Sequence, residues 1–83
     1  MSKIKMHDLV ALRDPVKAKH FDSGVDLLLP EGLVGTVVEE YEKGKAYEVE
    51  FSDNHGQTYA MLTLKVEKLF QVHFNLPNLA AVQ

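Results

Sequence analysis

Residues 46–52 read AYEVEFS. Tyr47, Val49 and Phe51 alternate with Glu48 and Glu50. A period of two is the repeat of an extended strand, whose successive side chains point to opposite faces. Burying two unpaired carboxylates would cost several kcal/mol. The aromatic face must therefore look inward and the acidic face outward. That parity excludes a helix here and organises the reading of everything around it.

Two further runs flank this strand. LVGTVVEEY (33–41) precedes it and QTYAMLTLK (57–65) follows, both rich in β-branched and aromatic residues. A tight turn at Lys43-Gly44, with glycine supplying the positive φ, sets Glu42 opposite Lys45. Continued along the strands, that register sets Val38 opposite Val49, Thr36 opposite Phe51 and Glu39 opposite Glu48. A four-residue loop DNHG (53–56), with Gly56 left-handed, sets Val49 opposite Ala60, Tyr47 opposite Leu62 and Glu50 opposite Tyr59. Both turns give one parity. Val38, Val49, Ala60 and Leu62 point inward, and a three-stranded meander results.

The rest of the chain is read around the meander. HDLVALRD (7–14) is a strand leaving into a turn at Asp14-Pro15. Residues 15–32 are punctuated by Pro15, Gly24, Pro30 and Gly32 and read as a long first loop, with Leu27 or Leu29 plugging one end of the core. VEKL (66–69) reads as a single helical turn and FQVHF (70–74) as the last strand. The expected fold is all-β: a small five-stranded SH3-like barrel with a long first loop and a single helical turn before the last strand. An OB-type barrel is the alternative, but it normally needs a longer chain with a helix. The barrel is expected to span residues 1–74. The tail 75–83, with Leu76, Leu79 and Val82, is expected to dock on the barrel, dock on a partner or fray.

Composition narrows the chemistry. At 83 residues the chain makes one domain, burying about 60–65% of its unfolded surface. The absence of cysteine excludes disulfides, thiolate metal sites and cysteine nucleophiles. No apolar run is long enough for a signal peptide or a membrane span, so a cytoplasmic, soluble protein is expected. Twelve acidic residues oppose nine basic ones, for a net charge of −3, and Arg13 is the sole arginine. Nucleic-acid binding, which draws its affinity from phosphate neutralisation, is disfavoured. A basic or mixed-charge protein partner fits better.

Together, HDLVAL, EGLVGTVVEEY, AYEVEFSDNHGQTYAMLTLK and EKLFQV resemble a family of small bacterial proteins known as domain of unknown function 4926. The resemblance covers roughly residues 7–14 and 30–72. It implies an SH3-like barrel, a bacterial origin and a neighbourhood of accessory or toxin–antitoxin-like proteins, but no activity. The chain departs from the family's pattern in a longer first loop (15–29) and in its tail (75–83).

The candidate protein-binding face is the outward side of the meander, expected to carry Val37, Glu39, Tyr41, Glu48, Glu50, Tyr59 and Met61. Like charges opposed across strands repel, which a basic partner would relieve. Tyrosine and methionine favour interfaces. The bland reading is a solvated sheet face whose acids keep the protein soluble. No catalytic residue, cofactor or metal is expected. The carboxylates have no predicted pocket to dehydrate them. His7, His20, His55 and His73 form no His-x-His or His-x3-His pair, and turn chemistry explains the Asp53–Gly56 loop around His55. The glycines of EGLVGTV open a strand, not a phosphate-binding helix.

The function expected is thus a non-catalytic protein-interaction or accessory module, with self-association as one version. Two alternatives stand beside it. One is a nucleic-acid- or ribosome-associated barrel using Lys3, Lys5, Lys17 and Lys19. The other is an accessory subunit of an enzyme or toxin–antitoxin-like complex, for which a pocket gathering His55 with two carboxylates would speak.

Overall fold

A computed structural model of the chain describes residues 4–72. It is all-β, with seven strands: β1 (Leu9–Leu12), β2 (Val16–Lys19), β3 (Asp26–Leu29), β4 (Val34–Tyr41), β5 (Ala46–Ser52), β6 (Thr58–Lys65) and β7 (Leu69–Gln71). A single 3-10 turn, Val66–Lys68, precedes β7. The strands form two sheets, one of five strands ordered β6-β5-β4-β1-β7 and one of two, β2-β3. They are therefore seven strands in two sheets rather than five in a single closed barrel. No helix among the described residues is long and apolar enough to cross a membrane.

The parity of β5 builds the core. Tyr47, Val49 and Phe51 are each almost fully buried, with Val10, Leu12, Val37 and Ala60 around them and Leu29 and Leu69 closing the ends. Covering a side chain the size of Phe51 stabilises the fold by about 1.5–3 kcal/mol. The Tyr47 hydroxyl reaches through the core to donate to Ile4 O at 3.1 Å, which ties the N-terminal segment down. Asp8 secures the same region. Its Oδ2 accepts from Lys5 N at 2.8 Å and from Gln71 Nε2 at 2.9 Å.

Three expectations need correction. The first concerns β4. Glu39 does face Glu48, and Tyr41 faces Ala46, but beyond a register shift Val37 faces Val49 and Thr36 faces Glu50. Val38 is the extra residue of a β-bulge. Gly35 and Val37 occupy the core side of β4, whereas the turn fixes Glu39 and Tyr41 outward, and the two phases differ by one residue. The bulge absorbs the difference. Val38 therefore does not face Val49, and Thr36 does not face Phe51.

The second lies between β5 and β6. Val49 faces Leu62, Tyr47 faces Leu64, Phe51 faces Ala60 and Glu50 faces Met61. The expected pairing was displaced by two residues, which preserves parity. A shift near the loop leaves Tyr59 unmatched between Ala60 and Thr58. The turn before β5 also differs in detail, because Glu42 and Lys43 take positive φ along with Gly44.

The third is the first loop, which is an antiparallel hairpin. β2 pairs with β3 from Val16 opposite Leu29 to Lys19 opposite Asp26. Val16 and Ala18 turn toward the core while Lys17 and Lys19 face out. His20 closes the turn. Its Nδ1 accepts from Asp22 N and Ser23 N, each at 3.2 Å, and Gly24 has φ 74°. Leu29 is buried and Leu27 packs against the core, so both plug its end. Strand β7 ends at Gln71, and His73, Phe74 and the tail lie outside the described residues.

Candidate functional site

On the outward side of the sheet, facing pairs define rows. Glu39, Glu48 and Thr63 lie in one row, and Thr36, Glu50 and Met61 in the next. Residues opposite one another share a face. Tyr41 stands beside the first row and is exposed. Five of the seven expected residues, Glu39, Tyr41, Glu48, Glu50 and Met61, are therefore brought together. Two are not. Val37 is wholly buried, because the bulge turns it inward. Tyr59 is half-buried and packs against the core, where the register shift leaves it unmatched.

The carboxylates are held by hydroxyl donors. Glu48 Oε1 accepts from Thr63 Oγ1 at 2.6 Å and from Tyr41 Oη at 3.3 Å. Thr58 Oγ1 donates to Glu50 Oε2. Glu39 Oε1 accepts from Glu40 N at 3.2 Å. The ion pairs Lys19–Asp26 and Lys68–Asp14 lie elsewhere. Partial desolvation raises the Tyr41 hydroxyl above its ordinary value, helped by the charge of Glu48, the bond to Glu48 and the charge of Glu39. Each of these favours the protonated phenol as a donor to Glu48.

Thr58 and Thr63 carry no sequence signal of their own. Only the correct register places Thr63 opposite Glu48. A groove of about 560 Å³ adjoins this row and is lined by Glu42, Lys45, Ala46, Thr63, Lys65 and Val66 among others. It mixes both charges and gathers no histidine. At the other end of the same face, Ala11 pairs with Val34 on one side and Phe70 on the other. Val34 and Phe70 are both about half exposed, and the Arg13 guanidinium lies 3.6 Å over the Phe70 ring. The outer face thus runs from an apolar end to an acidic one.

The other candidates disperse. His7 sits in a turn with φ 71°, His20 caps the β2–β3 turn, and His55 N donates to Asp53 Oδ1 at 2.9 Å. Among the described residues no group of three His, Cys, Asp or Glu side chains is placed to hold a metal ion. Lys17 and Lys19 project from the hairpin, but Lys19 is neutralised by Asp26 at 2.6 Å. Lys3 lies outside the described residues.

No curated protein and no solved structure matches the chain. The sequence model of one family does match, over residues 6–71, from the turn before β1 to the end of β7. The chain belongs to that family, described as Domain of unknown function (DUF4926).

Proposed function

We propose that the protein is a non-catalytic interaction module of the cytoplasm, docking a basic protein partner through the acidic end of its outer sheet face. One observation carries the reading. Glu39, Glu48 and Glu50 are gathered with exposed Tyr41 and half-buried Met61 on one meander, and hydroxyls orient two of the three carboxylates. Acceptors fixed in advance lose little entropy on meeting a lysine or arginine, and charge-assisted bonds are the stronger kind. Tyr41 supplies amphipathic contact area beside them. The apolar strip of Val34, Ala11 and Phe70 adds a second contact area for a larger partner.

An SH3-like topology is part of this proposal. The meander β4-β5-β6, the 3-10 turn and the return of β7 to β1 support it. The long first connection of that topology corresponds to the β2–β3 hairpin.

The test is affinity capture with the full chain and its Glu39→Lys/Glu48→Lys variant. Both positions face solvent at least in part, so the variant should keep its circular dichroism spectrum and melting temperature within a few degrees. It should lose a basic partner that the wild type retains. If a folded variant captures the same partner with undiminished yield, the acidic face is not the docking surface.

A further inference from the structure

The five-stranded sheet ends in two edges that differ in kind. At β7, Val72 N donates to Leu9 O and Arg13 N to Lys68 O, each at 2.9 Å, so the backbone groups of residues 68, 70 and 72 turn toward β1. Those of Leu69 and Gln71 turn away. Leu69 N already donates to Val66 O, and Leu69 O accepts from Arg13 Nε at 3.1 Å. Among the described residues this edge is only three residues long, and the outward groups of Leu69 on it are already bonded.

Among the described residues the β6 edge is open beyond its first residues. Val66 N donates to Lys45 O at 2.9 Å, and the register runs without a shift from Lys65 opposite Ala46 to Ala60 opposite Phe51. Alternate residues of an antiparallel pair bond across it and those between face away. The N–H and C=O groups of Met61, Thr63 and Lys65 therefore point away from β5. Phe21 N donates to Tyr59 O at 2.6 Å and closes the beginning of the strand. From Met61 to Lys65 no described residue supplies a backbone partner. Within 61–65 there is no proline and no bulge, and of the devices that blunt an edge only a single charge, Lys65 at its end, is present.

We infer that a second copy of the chain pairs with this edge, β6 against β6, antiparallel about a two-fold axis at Thr63. Outward-facing groups pair only with outward-facing groups, and residue 63 is the midpoint of the open stretch. Thr63 then faces the second copy's Thr63, and Met61 faces the second copy's Lys65. The complementarity lies in what stands beside them. Met61 is opposite Glu50 on β5, so the second copy's Lys65 arrives two strands from Glu50 on the same outer face. At about 4.8 Å per strand the Cα atoms are about 10 Å apart, a span that lysine and glutamate side chains cover together. Symmetry makes this contact twice. On the inner side Leu62 meets the second copy's Leu64. The interface is isologous and closes on itself, so it makes a dimer and not a filament.

The experiment combines sedimentation equilibrium with amide hydrogen exchange on the full chain. The wild type should sediment as a dimer that dissociates on dilution. The amides of Met61, Thr63 and Lys65 should be protected in the dimer and exchange freely in the monomer. Lys65 is exposed, so Lys65→Glu should fold normally. It places like charges beside Glu50 and should raise the dimer Kd about tenfold or more. Glu50→Lys combined with Lys65→Glu should restore the wild-type Kd. A monomer at NMR concentration, a dimer whose three amides exchange freely, or a Lys65→Glu dimer as tight as the wild type would each overturn the assignment. So would a double variant no tighter than Lys65→Glu.

Discussion

Replacing Gly35 with alanine should destabilise the fold, although a glycine in a strand is ordinarily a weakness. Gly35 is buried on the inward side of β4, opposite Val10. A Cβ there would stand 2.7 Å from Val49 Cγ1, 2.8 Å from Phe51 Cε1 and 2.8 Å from Glu50 O. The two side chains are locked in the core, and the third atom is backbone of the neighbouring strand. Relief therefore requires β4 and β5 to part. Overpacking of this kind costs about 1–3 kcal/mol. The lost freedom of the unfolded chain returns about 0.4–1 kcal/mol. Crowding prevails, leaving a net loss of about 1–2 kcal/mol and a fall in Tm of about 5–15 °C for a domain this size. Urea and thermal denaturation followed by circular dichroism measure it, with the outward-facing Thr36→Ala as control. A Gly35→Ala variant that melts at or above the wild type would mean that β4 does not approach β5 this closely and that its inward phase is misassigned.

Two other perturbations test the core and the acidic face. Phe51→Ala should cost about 3–5 kcal/mol by leaving a cavity. A domain of this length holds only about 4–12 kcal/mol, so urea denaturation should show a marginal or unfolded protein, and a wild-type midpoint would refute the assignment of inside and outside. Tyr41 should ionise above its ordinary value of 10.0. A phenol whose folded value is raised contributes stability that is complete below about pH 10 and is lost as pH rises through the folded value. The ultraviolet difference titration between wild type and Tyr41→Phe should have its midpoint above 10, moving back toward 10 in Glu48→Gln. A midpoint at or below 10 in the wild type would mean that neither the desolvation of Tyr41 nor its contact with Glu48 persists in solution.

What the sequence made legible was phase, and what it hid was interruption of phase. AYEVEFS gave Tyr47, Val49 and Phe51 their burial without ambiguity, because carboxylates on the alternate positions leave one choice. TVVEE offers no such choice. Two adjacent valines satisfy either phase, and nothing local says that the strand changes phase between them. The decision is made at a distance, by the space left at Gly35 and by the turn at 42–45. Val37 was misplaced for that reason, and Tyr59 by the second register shift. The hairpin of β2 and β3 was hidden differently. VKAK alternates properly, but it is short, and the glycine and proline signals around it outweighed its period.

The same register also changes the reason for expecting a basic partner. Glu39 and Glu48 do face one another, and an opposed like pair costs a few tenths of a kcal/mol up to about 1 kcal/mol. Hydrogen bonds to a charged group contribute about 1.5–3 kcal/mol when well made, less at an exposed site. Glu48 accepts two, from Thr63 and Tyr41, and Glu39 accepts one from the backbone. The repulsion is thus offset within the chain, and its relief is no argument for a partner. What remains is geometry. The hydroxyls of Thr63, Tyr41 and Thr58 hold Glu48 and Glu50 in fixed positions on the open sheet face. A cation arriving there meets acceptors that need not reorganise, and a merely solvated acidic surface would not offer that advantage.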